Sequence, residues 1–133
     1  MKQITGKLPF IFLLGAILYP IIEILYRGYT HFSMAILGGV CFCALFLVDE
    51  GLGPGKILPK ALTTTLIITQ LEFLCGVLVN LTLKLSVWDY SDRAFNVLGQ
   101  VCPLFSLYWF VLSFIFLLAL SFWKKKVQRP IFF

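Results

Sequence analysis

Glu72 is a carboxylate in a place where carboxylates are rare. It lies about eleven residues from either end of an apolar run, Ala61–Leu83. If that run crosses a bilayer as a helix, the carboxyl sits near mid-depth. A charged group there costs roughly 2.5–3.5 kcal/mol on insertion scales. The group must therefore titrate, bind a cation or pair with a base such as Arg27. Gly76 and Asn80 follow at i+4 and i+8, which puts all three on one helical face. That face is expected to point into a helix bundle, because a lipid-facing carboxyl would be unsupported. Gln70 falls on a different side and is expected to bond to another helix.

Two further groups carry polar chemistry. Glu23, Arg27 and His31 are spaced i, i+4, i+8, so one face presents an acid, a base and an imidazole. They read either as an interfacial ion pair closing a helix end or as a ligand or proton site at the outer mouth. His31 by itself reads as a structural hydrogen-bonding residue. In the second group, Trp88, Asp89 and Tyr90 precede Asn96 and Gln100, and the last two are expected to share a helical face at i, i+4. The aromatic stretch suits the headgroup level, where Trp and Tyr collect, or a cover folded over the polar cluster. Glu23, Arg27, His31, Gln70, Glu72, Asn80, Asn96 and Gln100 are expected to converge in the outer half of the molecule.

Other chemistries find no support. There is no Ser/His/Asp set, no His-rich metal cluster and no nucleotide motif. The Gly-rich stretch from Asp49 to Lys56 lacks a Gly-Lys-Ser/Thr ending and follows no strand, so it is not a phosphate cradle. It reads as an inner turn. Cys41, Cys43, Cys75 and Cys102 lie in apolar surroundings without metal-site spacing and read as small buried side chains. No metal, cofactor or catalytic residue is expected, and a non-enzymatic role is favoured over an enzymatic one.

The elements that must position these residues follow from composition. Of 133 residues, 60% are hydrophobic and 13% charged, against roughly 45–50% and about 25% in soluble domains. Four apolar runs, 8–26, 33–48, 61–83 and 101–123, use up the chain. About 20 apolar residues cross a bilayer as a helix. The second run, at 16 residues, is the weakest. The fold expected is an all-α bundle of four transmembrane helices in a single integral membrane domain, 1–133. The basic start is not followed by a small-residue cleavage site, so the first helix is expected to be retained. Pro9 suits its beginning, Pro20 should kink it, and Gly28 should cap its C-terminus. Thr30 or Ser33 is expected to cap the second helix. Ala35, Gly38 and Gly39 suit close helix packing.

The net charge of +5 has an account within this topology. Lys2, Lys7, Lys56, Lys60, Lys124, Lys125, Lys126 and Arg129 fall on one side, opposite Arg27, Lys84 and Arg93. Cytoplasmic loops carry the basic excess, so both termini are expected in the cytoplasm and the charge marks contact with anionic lipid rather than nucleic acid. Lys124–Lys126 should stop the last helix at Trp123, and the tail 128–133 should lie on the membrane. Four short helices enclose little volume, which points to a homo-oligomer.

Two stretches carry a family resemblance: Glu23-x3-Arg27-Gly28-x-Thr30-His31-x-Ser33-Met34, and Trp88-Asp89-Tyr90-Ser91-x4-Asn96-x2-Gly99-Gln100-x-Cys102-x2-Phe105-Ser106. Through them the chain resembles the bacterial "putative ABC-transporter type IV" (CmpB-like) integral membrane proteins. The resemblance implies a polytopic protein of the bacterial inner membrane with a polar outer cluster. Three functions are open: a permease or channel for a small polar or ionic solute, an intramembrane enzyme or lipid-headgroup binder, and a non-catalytic accessory subunit. A lateral cleft open to lipid would favour the second.

Overall fold

The computed structural model describes residues 2–128. The tail from Arg129 onward, with its expected membrane contact, lies outside the described residues. Four helices are long and apolar enough to cross a bilayer, which makes this a multi-pass membrane protein. They are α1 (Lys2–Arg27), α2 (Phe32–Leu52), α3 (Ile57–Gly76) and α4 (Pro103–Gln128). A π-helical extension, Val77–Thr82, continues α3. Among the described residues there is no strand, only an isolated bridge between Val97 and Val101.

The helices outrun several of the apolar runs. Pro9 falls inside α1 rather than at its start, because the helix already begins at Lys2. The second run becomes a full span of 21 residues. Asp49 and Glu50 continue it as helix, because both carboxylates find lysines, and only Gly53, at φ 80°, ends it. The inner turn is thus four residues long, not eight. At the other end of α2 the N-cap is His31 and not Thr30 or Ser33: its ring nitrogen Nδ1 accepts from the Ser33 amide at 3.2 Å. Lys124–Lys126 lie within α4 rather than stopping it.

α1 packs along α2, α2 against α3, and α3 against α4. The closest approach, of α1 to α2, depends on missing side chains. A Cβ on Gly38 would come 2.5 Å from the Tyr19 Cβ and 2.8 Å from the Gly15 carbonyl oxygen. Close backbone contact replaces hydrophobic driving force in lipid. By contrast, α1 and α4 hardly approach each other at the backbone among the described residues. They meet through rings: Tyr19 stacks on Trp109 at 5.0 Å, and Tyr26 meets Phe105 and Tyr108 edge-on.

One end of the bundle is locked by charge. Lys60 on α3 is 3% exposed and Asp49 on α2 is 4% exposed. The Lys60 ammonium donates to Asp49 Oδ1 at 2.7 Å. Lys124 on α4 bonds to the second Asp49 oxygen and to Glu50. Three helices are joined through one carboxylate. Beneath it Leu45, Ala61 and Leu117 form a small apolar cluster. Among the described residues the opposite end carries no comparable lock and is covered instead by the connection 83–102.

Removing one partner of a buried ion pair leaves a buried charge unmatched, typically at about 3–5 kcal/mol. Asp49→Asn is therefore expected to lower the thermal unfolding midpoint in nanodiscs sharply, with Asp49→Asn/Lys60→Met recovering part of the loss. An unchanged midpoint in the single variant would show that the cluster does not hold the helices together.

Candidate functional site

The connection 83–102 folds back onto the bundle as a cap. Its anchor is Asn80 on the π-helical turn. The wider turn closes its hydrogen bonds five residues back, as in Leu83 N–H to Leu78 O at 2.9 Å, and such turns recur at functional sites. Asn80 Oδ1 accepts from the Val87 amide at 2.7 Å and the Trp88 amide at 3.3 Å. Its Nδ2 donates to Gln100 Oε1 at 2.8 Å. Gln100, buried, returns its own amide to the Leu98 carbonyl. The Trp88 indole N–H donates to the Gln100 carbonyl at 3.0 Å. Gly76 makes room for this knot: a Cβ there would meet Gln100 Oε1 at 2.5 Å and Trp88 Cζ2 at 3.0 Å.

Asn96 and Gln100 do not share a helical face, because α4 begins only at Pro103. Asn96 instead holds the tip of the cap. It donates to the Ser91 and Arg93 carbonyls and accepts from the Gly99 amide at 2.9 Å. Gly99 takes φ 73°, and a Cβ there would strike Asp89 Oδ1 at 2.7 Å. Lys84, Ser86, Phe95 and Leu98 also sit at positive φ, which is costly for residues with a side chain. Asp89 is exposed and accepts from the Ser91 hydroxyl and amide. These bonds hold its carboxyl below the usual value. The stability of this turn is present through the neutral range and is lost as pH falls through the lowered pKa.

Under the cap lies a cavity of about 670 Å³ between α1 and α4. Glu72 forms part of its wall and is 1% exposed. The Tyr90 hydroxyl, brought in by the cap, donates to Glu72 Oε2 at 3.2 Å. Burial, together with the neighbouring carboxyl, pushes the Tyr90 phenol well above its usual pKa, so it stays a donor. Glu72 Oε1 is buried and makes no well-formed hydrogen bond among the described residues, although the Trp109 indole N–H lies close to the carboxyl. Half of the fourteen lining residues are aromatic, among them Tyr19, Trp88 and Trp109.

At the capped rim Glu23 and Arg27 pair at 3.2 Å, one helical turn apart. Thr30 donates to Glu23 Oε1 at 2.6 Å. Arg27 Nη1 donates to the Val87 carbonyl at 2.7 Å and so ties α1 to the cap. Arg27 therefore serves Glu23 and the cap, not Glu72. His31 stands aside: its ring bonds to Ser33 and tilts over Phe32. Gln70 is exposed and makes no side-chain hydrogen bond among the described residues, so it does not join the others. Glu72, Glu23, Arg27 and Trp88 line the cavity. Asn80 and Gln100 secure the cap around it, and Asp89 and Asn96 shape its outer loop.

Trp88 and Tyr90 are legible as a cover, but the aromatic wall that α1 and α4 contribute is not. In an apolar run Tyr19, Phe105 and Trp109 resemble lipid-facing bulk, and no local spacing separates the two roles. The Thr30 contact with Glu23 was hidden in a turn.

With Asn80→Ala the cap loses three hydrogen bonds, each worth about 1–3 kcal/mol when a buried partner is left unmet. Amide exchange at Val87 and Trp88 is expected to speed up by about tenfold or more, while exchange in α1 and α2 stays unchanged. Uniform acceleration would indicate that Asn80 supports the whole bundle rather than the cap.

The family model described as "Putative ABC-transporter type IV" matches residues 10–131. No curated protein and no solved structure matches the chain.

Proposed function

The chain belongs to the "Putative ABC-transporter type IV" family, and from that premise we propose that it is a small permease-like membrane protein whose cavity binds an ionic solute at Glu72. The observation that carries this reading is the buried Glu72 Oε1, unpartnered and set in the wall of a cavity large enough for a ligand. A carboxyl held in an apolar span needs a proton or a cation, and exchanging one for the other is a way to couple binding to movement. Tyr90 supplies one hydrogen bond to that carboxyl, and a solute that reaches Oε1 does so by displacing the Trp109 indole beside it. Glu23 and Arg27 form the polar rim, and Asn80 and Gln100 fix the lid over it.

The orientation belongs to the same reading. The lysine-rich end with Lys56, Lys60 and Lys124 faces the cytoplasm, by the excess of basic residues there, and the cap faces outward. On this view the membrane is the bacterial inner membrane.

A second reading, a lipid headgroup held at the same place, is favoured by two observations. The cavity lies between α1 and α4, where the backbones hardly approach. Arg27, whose Nη2 pairs with Glu23, also keeps its buried Nε–H without a hydrogen-bond partner at the cavity edge.

Native mass spectrometry of the protein released from native-membrane nanodiscs tests the first reading against the second. A small species bound to wild type and missing from Glu72→Gln is the expected result. A phospholipid bound in both forms would move the assignment to the headgroup site. No bound species in either form, with the oligomer unchanged, would overturn both.

A further inference from the structure

The three charged residues lining the cavity are Glu23, Arg27 and Glu72. Glu23 and Arg27 neutralise each other at 3.2 Å. The cavity is left with one acid that no base pairs, Glu72; it accepts from Tyr90, lies beside the Trp109 indole N–H, and keeps Oε1 buried. Around it the wall is aromatic and aliphatic: Tyr19, Trp109 and Phe105 on the helices, Trp88 and Tyr90 from the cap, with Met34 behind.

This combination selects strongly. A metal cation wants several oxygen ligands at short range. Among the described residues no group of three or more His, Cys, Asp or Glu side chains could hold one. A strongly hydrated small ion would lose its water to rings and methyl groups and gain only one carboxylate. An anion would meet Glu72 unopposed. A cation whose charge is dispersed beneath hydrocarbon loses little hydration. It gains contact with ring faces, which attract cations within about 6 Å of their centroids. The volume of about 670 Å³ falls within the ~300–1,000 Å³ typical of sites for drug-sized molecules.

The route in is lateral. Between α1 and α4 the contact is made by side chains, and two of those at the gap, Tyr26 and Tyr108, are 63% and 41% exposed. In a bilayer those faces meet acyl chains. A lipophilic cation accumulates in that layer and reaches the cavity by displacing rings, without crossing the cap.

We propose that the cavity between α1 and α4 takes a lipophilic organic cation, such as a quaternary ammonium, phosphonium or protonated hydrophobic amine, with its charge on Glu72 and its hydrocarbon against the Tyr19–Trp109 wall. The proposal rests on the permease reading and narrows its solute class.

The probe is tetraphenylphosphonium, titrated into the full chain in nanodiscs and followed by quenching of tryptophan fluorescence and by calorimetry. Empty nanodiscs give the partition background. Saturable binding to wild type is expected, weakened about tenfold or more in Glu72→Gln and in Trp109→Leu, and largely kept in Glu72→Asp and Trp109→Phe. Neutral triphenylphosphine oxide should not compete. Equal binding by wild type and Glu72→Gln, or effective competition by the neutral analogue, would overturn the proposal. So would the absence of tetraphenylphosphonium binding. In that last case, a hydrophilic species still lost from Glu72→Gln in the mass spectrum would leave the permease reading standing, and no such species would remove both.

Discussion

A carboxyl buried to 1% exposure inside an apolar helix is the constraint to which much of this molecule answers. Glu72 has two oxygens and the structure treats them differently. One is bonded by a hydroxyl that α1–α4 do not contribute: Tyr90 arrives from the connection between α3 and α4. To hold Tyr90 in place that connection must fold back, and the fold-back needs Asn80, Gln100, Gly76 and the bend at Gly99. The π-helical turn after Gly76 directs Asn80 toward the cap. The other oxygen is buried without a well-formed hydrogen bond, in a carboxyl that lines the cavity beside the Trp109 indole. A site that satisfied both oxygens internally would be a structural core; this one is half satisfied.

The two ends of the bundle manage charge in opposite ways. At the lysine-rich end Asp49, Glu50, Lys60 and Lys124 are all paired, and the two most buried members are bonded to each other at 2.7 Å. At the capped end Glu72 and Arg27 retain buried polar atoms without hydrogen bonds, as Thr64 does on α3, and four residues with side chains hold left-handed backbone, against Lys56 alone at the lysine-rich end. Strain and unmet polarity gather at functional sites because the surrounding structure must maintain them. The distribution fits a molecule whose rigid part and working part lie at different depths.

Much of the architecture was legible in the sequence, because in lipid the length of an apolar run is a direct measure of a span. Glu72, Gly76 and Asn80 were legible as one face, and Glu23 with Arg27 as a helical pair, since both depend only on local spacing. What was not legible depends on contacts far apart in the chain. Asp49 beside a Gly-rich stretch looks like the start of a turn; only Lys60 and Lys124, the second of them 75 residues away, make it the end of a helix. Asn96 and Gln100 suit one helical face equally well on paper, but Gly99 and the left-handed Leu98 break the helix between them. Gln70 resembles Glu72 in polarity and depth, yet two residues along a helix turn it to the outside. Aromatic side chains in a membrane span carry no local mark that separates a cavity wall from a lipid-facing surface.

The anchoring of α4 at one end has a mechanical consequence. Lys124 binds it to α2, while Phe105, 19 residues earlier, stands at the edge of the cavity. At a rise of 1.5 Å per residue the lever between them is about 28 Å. A tilt of about 5° around Lys124 then carries Phe105 sideways by ~2.5 Å, on the scale of an aromatic ring's width. α4 is packed along α3, with Thr69 and Ser106 hydrogen-bonded at 2.9 Å beside Phe105, so a tilt of that size has to carry α3 with it; the side left without tight backbone contact is the one facing α1. The layout is that of a clothespin: the ion cluster is the pivot, and α1 and the α3–α4 pair are the two arms that meet at the rings.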